Sequence, residues 1–134
     1  MKNFPLQIIT PDGVDFEGDV LSVVARTTCG DVCILASHTD YVASIDYGFV
    51  KVKEENAERY ASCIGGFISV SSGKATIIAT TFEFADEIDV KRAEKAKEKA
   101  TQIIESAEDE LAIKMAQLKL KRALNRLSVS KRIR

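Results

Sequence analysis

Arg122 and Arg126 stand four residues apart in Lys119-Leu120-Lys121-Arg122-Ala123-Leu124-Asn125-Arg126-Leu127. On a helix that spacing puts two guanidinium groups on one face, one turn apart. Like charges so placed repel by about 0.2–0.5 kcal/mol. From Lys114 onward every charged side chain is basic: Lys114, Lys119, Lys121, Arg122, Arg126, Lys131, Arg132 and Arg134. A helix loaded this way calls for an anion. Residues 83–110, just upstream, carry ten acids, among them Glu83, Asp89, Glu94 and Glu98. Such segregation within a chain of net charge −1 implies either pairing between segments or a partner for the basic tail.

The arginines can act together only if helices bring them together. After Thr81 the apolar period turns helical, with Ala93, Ala96, Ala100, Ile103 or Ile104, and Ala107 at steps of three and four. Asp86 or Asp89 caps the start, where the macrodipole favours acids. The acid cluster Glu108-Asp109-Glu110 interrupts the stripe. A second helix is expected from about Leu111, with Ala112, Met115, Ala116, Leu120, Ala123, Leu124 and Leu127 inside and fraying from Ser128. No Gly or Pro marks the break, so one long helix is the alternative.

If the chain folds back near residue 108, Arg92 falls between Arg122 and Arg126. Three arginines then converge at the open end, beside Ile88, Asp89 and the strand exit at Glu83. Guanidinium forks suit phosphate oxygens, and a triphosphate would relieve the repulsion and clamp the helices. Asp89 and Glu83 would offer acceptors to a base amine or a ribose hydroxyl. The competing reading pairs the arginines with the acids of the first helix. An alanine seam buries little area, about 0.8 kcal/mol per methyl. Such a hairpin opens easily, so a modest ligand can bias it.

The preceding residues read as short strands with turns between them. Leu6–Ile9 ends at Pro11-Asp12-Gly13, and Val20–Thr27 ends at Cys29-Gly30-Asp31. Cys33–Leu35, Val42–Ile45, and Phe49–Lys53 after Tyr47-Gly48 follow. Arg59–Ile64 turns at Gly65-Gly66 into Phe67–Val70, and Ser71-Ser72-Gly73 leads to Ala75–Thr80. Phe49–Lys53 alternates, with one dry and one wet face. Strands at this spacing indicate an antiparallel sandwich or barrel. The expected organisation is α+β: a β-sandwich over residues 1–86, then a two-helix antiparallel hairpin over 87–134.

Little else points to chemistry. Cys29, Cys33 and Cys63 lack a CxxC spacing and read as small buried hydrophobes rather than a metal or redox site. His38, the only histidine, has no evident nucleophile or metal-ligand company and reads as a loop or interface residue. No P-loop or dinucleotide fingerprint is present. No apolar run approaches a membrane span, and no h-region follows Met1-Lys2-Asn3-Phe4-Pro5, so a cytosolic-side chain without a signal peptide is expected. A nucleic-acid-binding module built on the basic helix is the alternative function, but the tail from Leu111 has no aromatics to stack on bases.

In order and spacing, five stretches resemble the epsilon subunits of bacterial F-type ATP synthases. These are Phe16-Glu17-Gly18 before Val20-Leu21-Ser22-Val23, Gly30-Asp31 through His38, Gly65-Gly66-Phe67, Glu87-Ile88-Asp89 with Arg92-Ala93, and Arg122-Ala123 with Arg126-Leu127. The resemblance covers the whole chain. It implies a non-catalytic rotor subunit at the foot of the central stalk, coupling proton flow to ATP synthesis. Its sandwich would bind the gamma subunit, with His38 at that interface, and the c-ring. The helices would be a regulatory arm: down on the sandwich they permit hydrolysis. Extended along gamma, the basic helix (Lys114, Lys119, Lys121, Arg122, Arg126) would meet acidic surface on the catalytic beta subunits and block it.

In some members ATP holds the arm closed, through residues that resemble Ile88, Asp89, Arg92, Arg122 and Arg126, with Glu83 close by. The resemblance thus implies no required cofactor, a regulatory ATP, no nucleic acid, and attachment to the cytoplasmic side of the cell membrane through the complex alone. Three departures stand out. Cys33 replaces a common glycine and Ala36 a common proline, in the loop expected to face gamma. Lys97 and Lys99 stand where a further arginine would reach phosphate, and lysine lacks the bidentate fork.

Overall fold

Leu6 and Ile8 point inward while Pro5, Gln7 and Ile9 point outward, the period of two that makes Phe4–Thr10 a strand with one face in the core (β1). The structure, a computed structural model, describes residues 2–132. The expected basic residue Arg134 lies outside them. Six further strands follow: β2 (Gly13–Val20), β3 (Ser22–Thr27), β4 (Gly30–Ile34), β5 (Tyr41–Lys53), β6 (Glu58–Ser71) and β7 (Lys74–Phe84). A 3-10 turn over Ala85–Glu87 leads to α1 (Val90–Ser106) and α2 (Glu110–Ser130). The chain divides after Phe84 into two compact units. The architecture is the expected α+β one: a β-sandwich, then two helices.

The strands form one hydrogen-bonded sheet in the order β2-β1-β7-β6-β5-β3-β4. All neighbours are antiparallel except β1 and β7, which run parallel from Leu6↔Ala75 to Ile9↔Ile78. The sheet becomes a sandwich because its three central strands are long and serve two layers. β1 joins the part of β7 at Ala75–Ile78, whereas β3 joins the part of β5 at Val50–Lys53. Those are opposite ends of the β5-β6-β7 ladder, which is paired along its length. Folding the ladder between them encloses one core, to which Leu6, Ile8 and Ile77 contribute from one layer and Val23, Ile34 and Val52 from the other.

The fold falls at Gly65-Gly66, and here the expectation of a turn is corrected. Both glycines sit inside β6, with φ of 66° and 137°. A Cβ at Gly66 would collide with the carbonyl oxygen of Ile78, and one at Gly65 would lie 2.9 Å from Thr80 Oγ1. The pair lets a strand bend sharply without leaving its neighbours. Tyr47-Gly48 is likewise no break, because β5 runs through it.

Other sequence expectations also shift. Residues 13–20 form an edge strand that the turn residues Pro11-Asp12-Gly13 masked, and Val20–Thr27 divides at Leu21 into β2 and β3. Asp15, Glu17 and Asp19 are exposed on β2, charges that discourage a further strand from adding there. Phe49 shares its side with Lys51 and Lys53 yet is buried. Arg26 lies over its ring at 4.8 Å, held by a two-pronged hydrogen bond to Asp31. Cys63 is buried, but Cys29 is exposed in the turn between β3 and β4, and Cys33 is exposed because β4 is an edge strand.

In the second unit Asp89 is the N-cap of α1: its carboxylate accepts from Arg92 N at 3.1 Å. Asp109 caps α2 in the same way, accepting from Leu111 N at 3.1 Å. That cap explains a break without Gly or Pro. Residues 107–109 are non-helical, and Ala107 ends α1 in an extended conformation. The buried residues of the two helices include Ala93 and Ala100 on α1 and Ala116 and Ala123 on α2. The seam is narrower than expected. Ala96, Met115 and Leu124 are exposed. Helix α2 does not fray at Ser128 but continues to Ser130, burying Val129.

Candidate anion site on the helical hairpin

Ala93 and Ala123 lie at equal distances along the chain on either side of Glu108, and so do Ala100 and Ala116. Helix α1 ends at Ser106 and α2 begins at Glu110, so the hairpin turns about residue 108, and on that register the buried alanines fall level in pairs across the seam. This register places the arginines. Arg92 directly precedes Ala93 and Arg122 directly precedes Ala123, while Arg126 follows Ala123 by three residues. In two antiparallel right-handed helices these offsets turn all three side chains toward the same face. The three levels fall within about two turns of each other, at the end of the hairpin away from its loop.

Arg92 and Arg122 are exposed and Arg126 is half-buried. No carboxylate pairs with Arg92 or Arg122 among the described residues. The acids of α1 therefore do not neutralise these two. Asp89 stands at the same end but is committed to its cap, which fixes the backbone at Arg92. Ile88, directly before the Asp89 cap, is buried at 7 % exposure. Ala96 is exposed on the arginine face and leaves space between the charged rows. Glu83 belongs to the other unit: it lies on β7, half-buried, opposite Ser62 of β6. The second unit thus gathers Ile88, Asp89, Arg92, Arg122 and Arg126. Lys114, Lys119 and Lys121 are all exposed along α2.

Leu111, Met115, Leu118 and Arg122 follow one another on α2 at helical spacing. The three apolar members are exposed at 64 %, 52 % and 47 %. The apolar pattern predicts Met115 in the seam and gives Leu111 and Leu118 no role, so this exposed stripe is a finding of the structure. The i, i+4, i+7 spacing was the available signal.

In the first unit His38 is half-buried in the loop before β5. Its Nδ1 lies 2.7 Å from the Thr39 carbonyl oxygen, and its ring meets Tyr41 edge-on at 5.8 Å. Asp40 accepts from Ser72 N at 3.1 Å and ties this loop to the β6–β7 turn. The outer side of β1, β7 and β6 carries Ile9, Ile78 and Phe67 in register, with Ile78 and Phe67 about two-fifths exposed. Cys63, by contrast, is sealed in the core, and burial pushes its thiol up to about 12. Among the described residues no cluster of His, Cys, Asp and Glu is placed to hold a metal, and no helix is long and apolar enough to cross a membrane.

Comparison with known proteins gives this arrangement a family. Residues 3–85 match the ATP synthase delta/epsilon chain β-sandwich domain, and residues 86–131 match the long α-helix domain of the same chain. The ATP synthase epsilon chain of Bacillus cytotoxicus is 40 % identical over 130 residues, covering 97 % of this chain and 98 % of that one. The epsilon chain of Ruminococcus albus is 37 % identical over 131 residues, with 97 % and 98 % covered. In solved structures the fold recurs in a chain of the Euglena gracilis mitochondrial ATP synthase, with a TM-score of 0.80 at 23 % identity. The match covers 92 % of this chain and 78 % of that one. With both of its units matched in order, and with bacterial relatives aligned nearly end to end, the chain belongs to the ATP synthase epsilon chain family.

Proposed function

We propose that this chain is a non-catalytic subunit of the central stalk of an F-type ATP synthase, and that its helical hairpin is an arm that ATP holds closed. Family membership supports the stalk role. The observation that carries the arm is the convergence of Arg92, Arg122 and Arg126 on one face of the hairpin, two of them without a carboxylate partner among the described residues. A triphosphate bridging α1 and α2 would neutralise them and hold the two helices together. The side chains that hold ATP in the closed arm include Arg122 and Arg126. Once the arm opens, the same two residues would face acidic surface on the catalytic beta subunits, beside the exposed Leu111, Met115 and Leu118. One set of charges cannot serve both, and that exclusivity is the switch.

In this reading the sandwich docks on the gamma subunit and the c-ring. The apolar row Ile9, Ile78 and Phe67 offers a dry contact, and the tied-down loop with His38 offers a second. The chain stays at the cytoplasmic side of the cell membrane through these partners and passes rotation between proton flow and ATP synthesis.

Titration of ATP into the full chain tests the sensor. Saturable binding is expected, with Arg92→Ala and Arg122→Ala each weakening it about tenfold or more, the weight of a charge-assisted hydrogen bond. Absence of binding at millimolar ATP removes the sensor and leaves the stalk role standing. Truncation after Asp86 tests inhibition: ATPase activity of the reconstituted complex should rise, and unchanged activity rules the inhibitory arm out. Failure to co-purify with gamma would overturn the stalk assignment itself.

A further inference from the structure

The second unit buries few large side chains. Among its described residues Ile88 and Val129 are the only branched aliphatics below a tenth exposed. The rest of its buried set is alanine. Val129 lies in the last turn of α2, next to exposed Ser128, and is 2 % exposed. That turn is well closed: the Val129 carbonyl accepts from Arg132 N at 2.9 Å, and Ser130 Oγ donates to the Leu127 carbonyl at 2.7 Å. Helix α2 packs against the 3-10 turn Ala85–Glu87 that precedes α1, and Val129 stands at the C-terminal end of α2, the end that an antiparallel hairpin brings to that turn. Ala85, in that turn, and Ile88, just after it, are both buried.

We propose that Val129 is the latch of the hairpin: it pins the last turn of α2 to the 3-10 turn and so sets how often the arm opens. The alanine seam offers one methyl per contact, so one larger side chain at the open end carries a large share of the closing free energy. Arg126 stands one turn before Val129, which makes the latch also the element that holds Arg126 in place for an anion. This regulatory meaning rests on the arm proposed above, but the latch itself is tested without nucleotide or partner.

Amide hydrogen exchange on the full chain reads it directly. Val129→Ala removes two methyl groups and should speed exchange across residues 112–126 about tenfold. Val129→Thr, which keeps the shape but replaces one methyl by a hydroxyl, should do the same, while Val129→Ile should keep protection at the native level. Exchange in β6 and β7 should stay unchanged. Unaltered exchange in α2, or an equal rise throughout the sandwich, would overturn the latch. If α2 exchange rises tenfold while inhibition of the reconstituted complex does not change, the latch stands and the inhibitory arm falls.

Discussion

Asp89 carries two readings from the sequence, a helix cap and an acceptor for a ligand. The cap is made: the Asp89 carboxylate accepts from Arg92 N and fixes the backbone there. Two substitutions separate the roles. Asp89→Ala should cost the hairpin about 1 kcal/mol of stability through the lost cap, whereas Asp89→Asn keeps most of the cap. If ATP contact matters independently, Asn should still weaken nucleotide binding while circular dichroism of the helices stays intact. Cysteine chemistry follows exposure in the same way. Cys29 and Cys33 should react rapidly with a thiol reagent in the native chain, and Cys63 only after unfolding. Burial raises the Cys63 pKa from 9.0 to about 12. Below pH 9 both folded and unfolded chains keep that proton, so the contribution to stability is constant. Between pH 9 and 12 only the unfolded chain releases it, and stability should fall as pH rises. Urea midpoints of Cys63→Ala should show a shallower alkaline decline than those of the native chain.

At the scale of elements, the bend in β6 decides the sandwich. Gly65 and Gly66 combine positive φ with no room for a Cβ, so Gly66→Ala meets both strain and the Ile78 carbonyl. A loss of about 3 kcal/mol or more is expected, measured by urea unfolding. Gly73 has positive φ but open space around it, so Gly73→Ala should cost only the strain, about 1 kcal/mol. Sequence reading placed a turn at Gly65-Gly66 because two glycines between β-rich runs usually mark one. Nothing local distinguishes a turn from a bend within a paired strand, because the difference lies in whether β5 and β7 continue alongside. The helices were more legible, since their period of 3.6, their caps and their charges are properties of adjacent residues. Their faces were less so: a seam of alanines is too narrow to bury Met115 or Leu124.

For the molecule as a whole, the division after Phe84 has an energetic counterpart. Every member of the main core cluster lies between Phe4 and Ala79. A fragment of residues 1–86 should therefore fold cooperatively, with a urea midpoint close to that of the sandwich in the full chain. A fragment of the hairpin alone should be marginal in water, because its seam is alanine and helices of this length gain little in isolation. Circular dichroism of the two fragments checks both expectations. A stable sandwich joined to a marginal hairpin is what a rigid docking module with a movable arm requires, since only a loosely closed element answers to a ligand of modest affinity.

The basic tail, the acidic approach to it and the order of strands before helices were all determined by the sequence alone; the fold about Glu108 was not, because one long helix fitted the same pattern until the Asp109 cap broke it. Each of those three depends on residue type and spacing between near neighbours. The tertiary structure alone decided which charges stay unpaired, since Arg92 and Arg122 might equally have met the acids of α1. It alone made β1 and β7 parallel, carried β6 through its glycines, exposed Cys33 on an edge strand, and buried Val129 at a helix end expected to fray. Those outcomes depend on which distant segments lie alongside one another. A local pattern limits that choice, and the packing of the whole chain makes it.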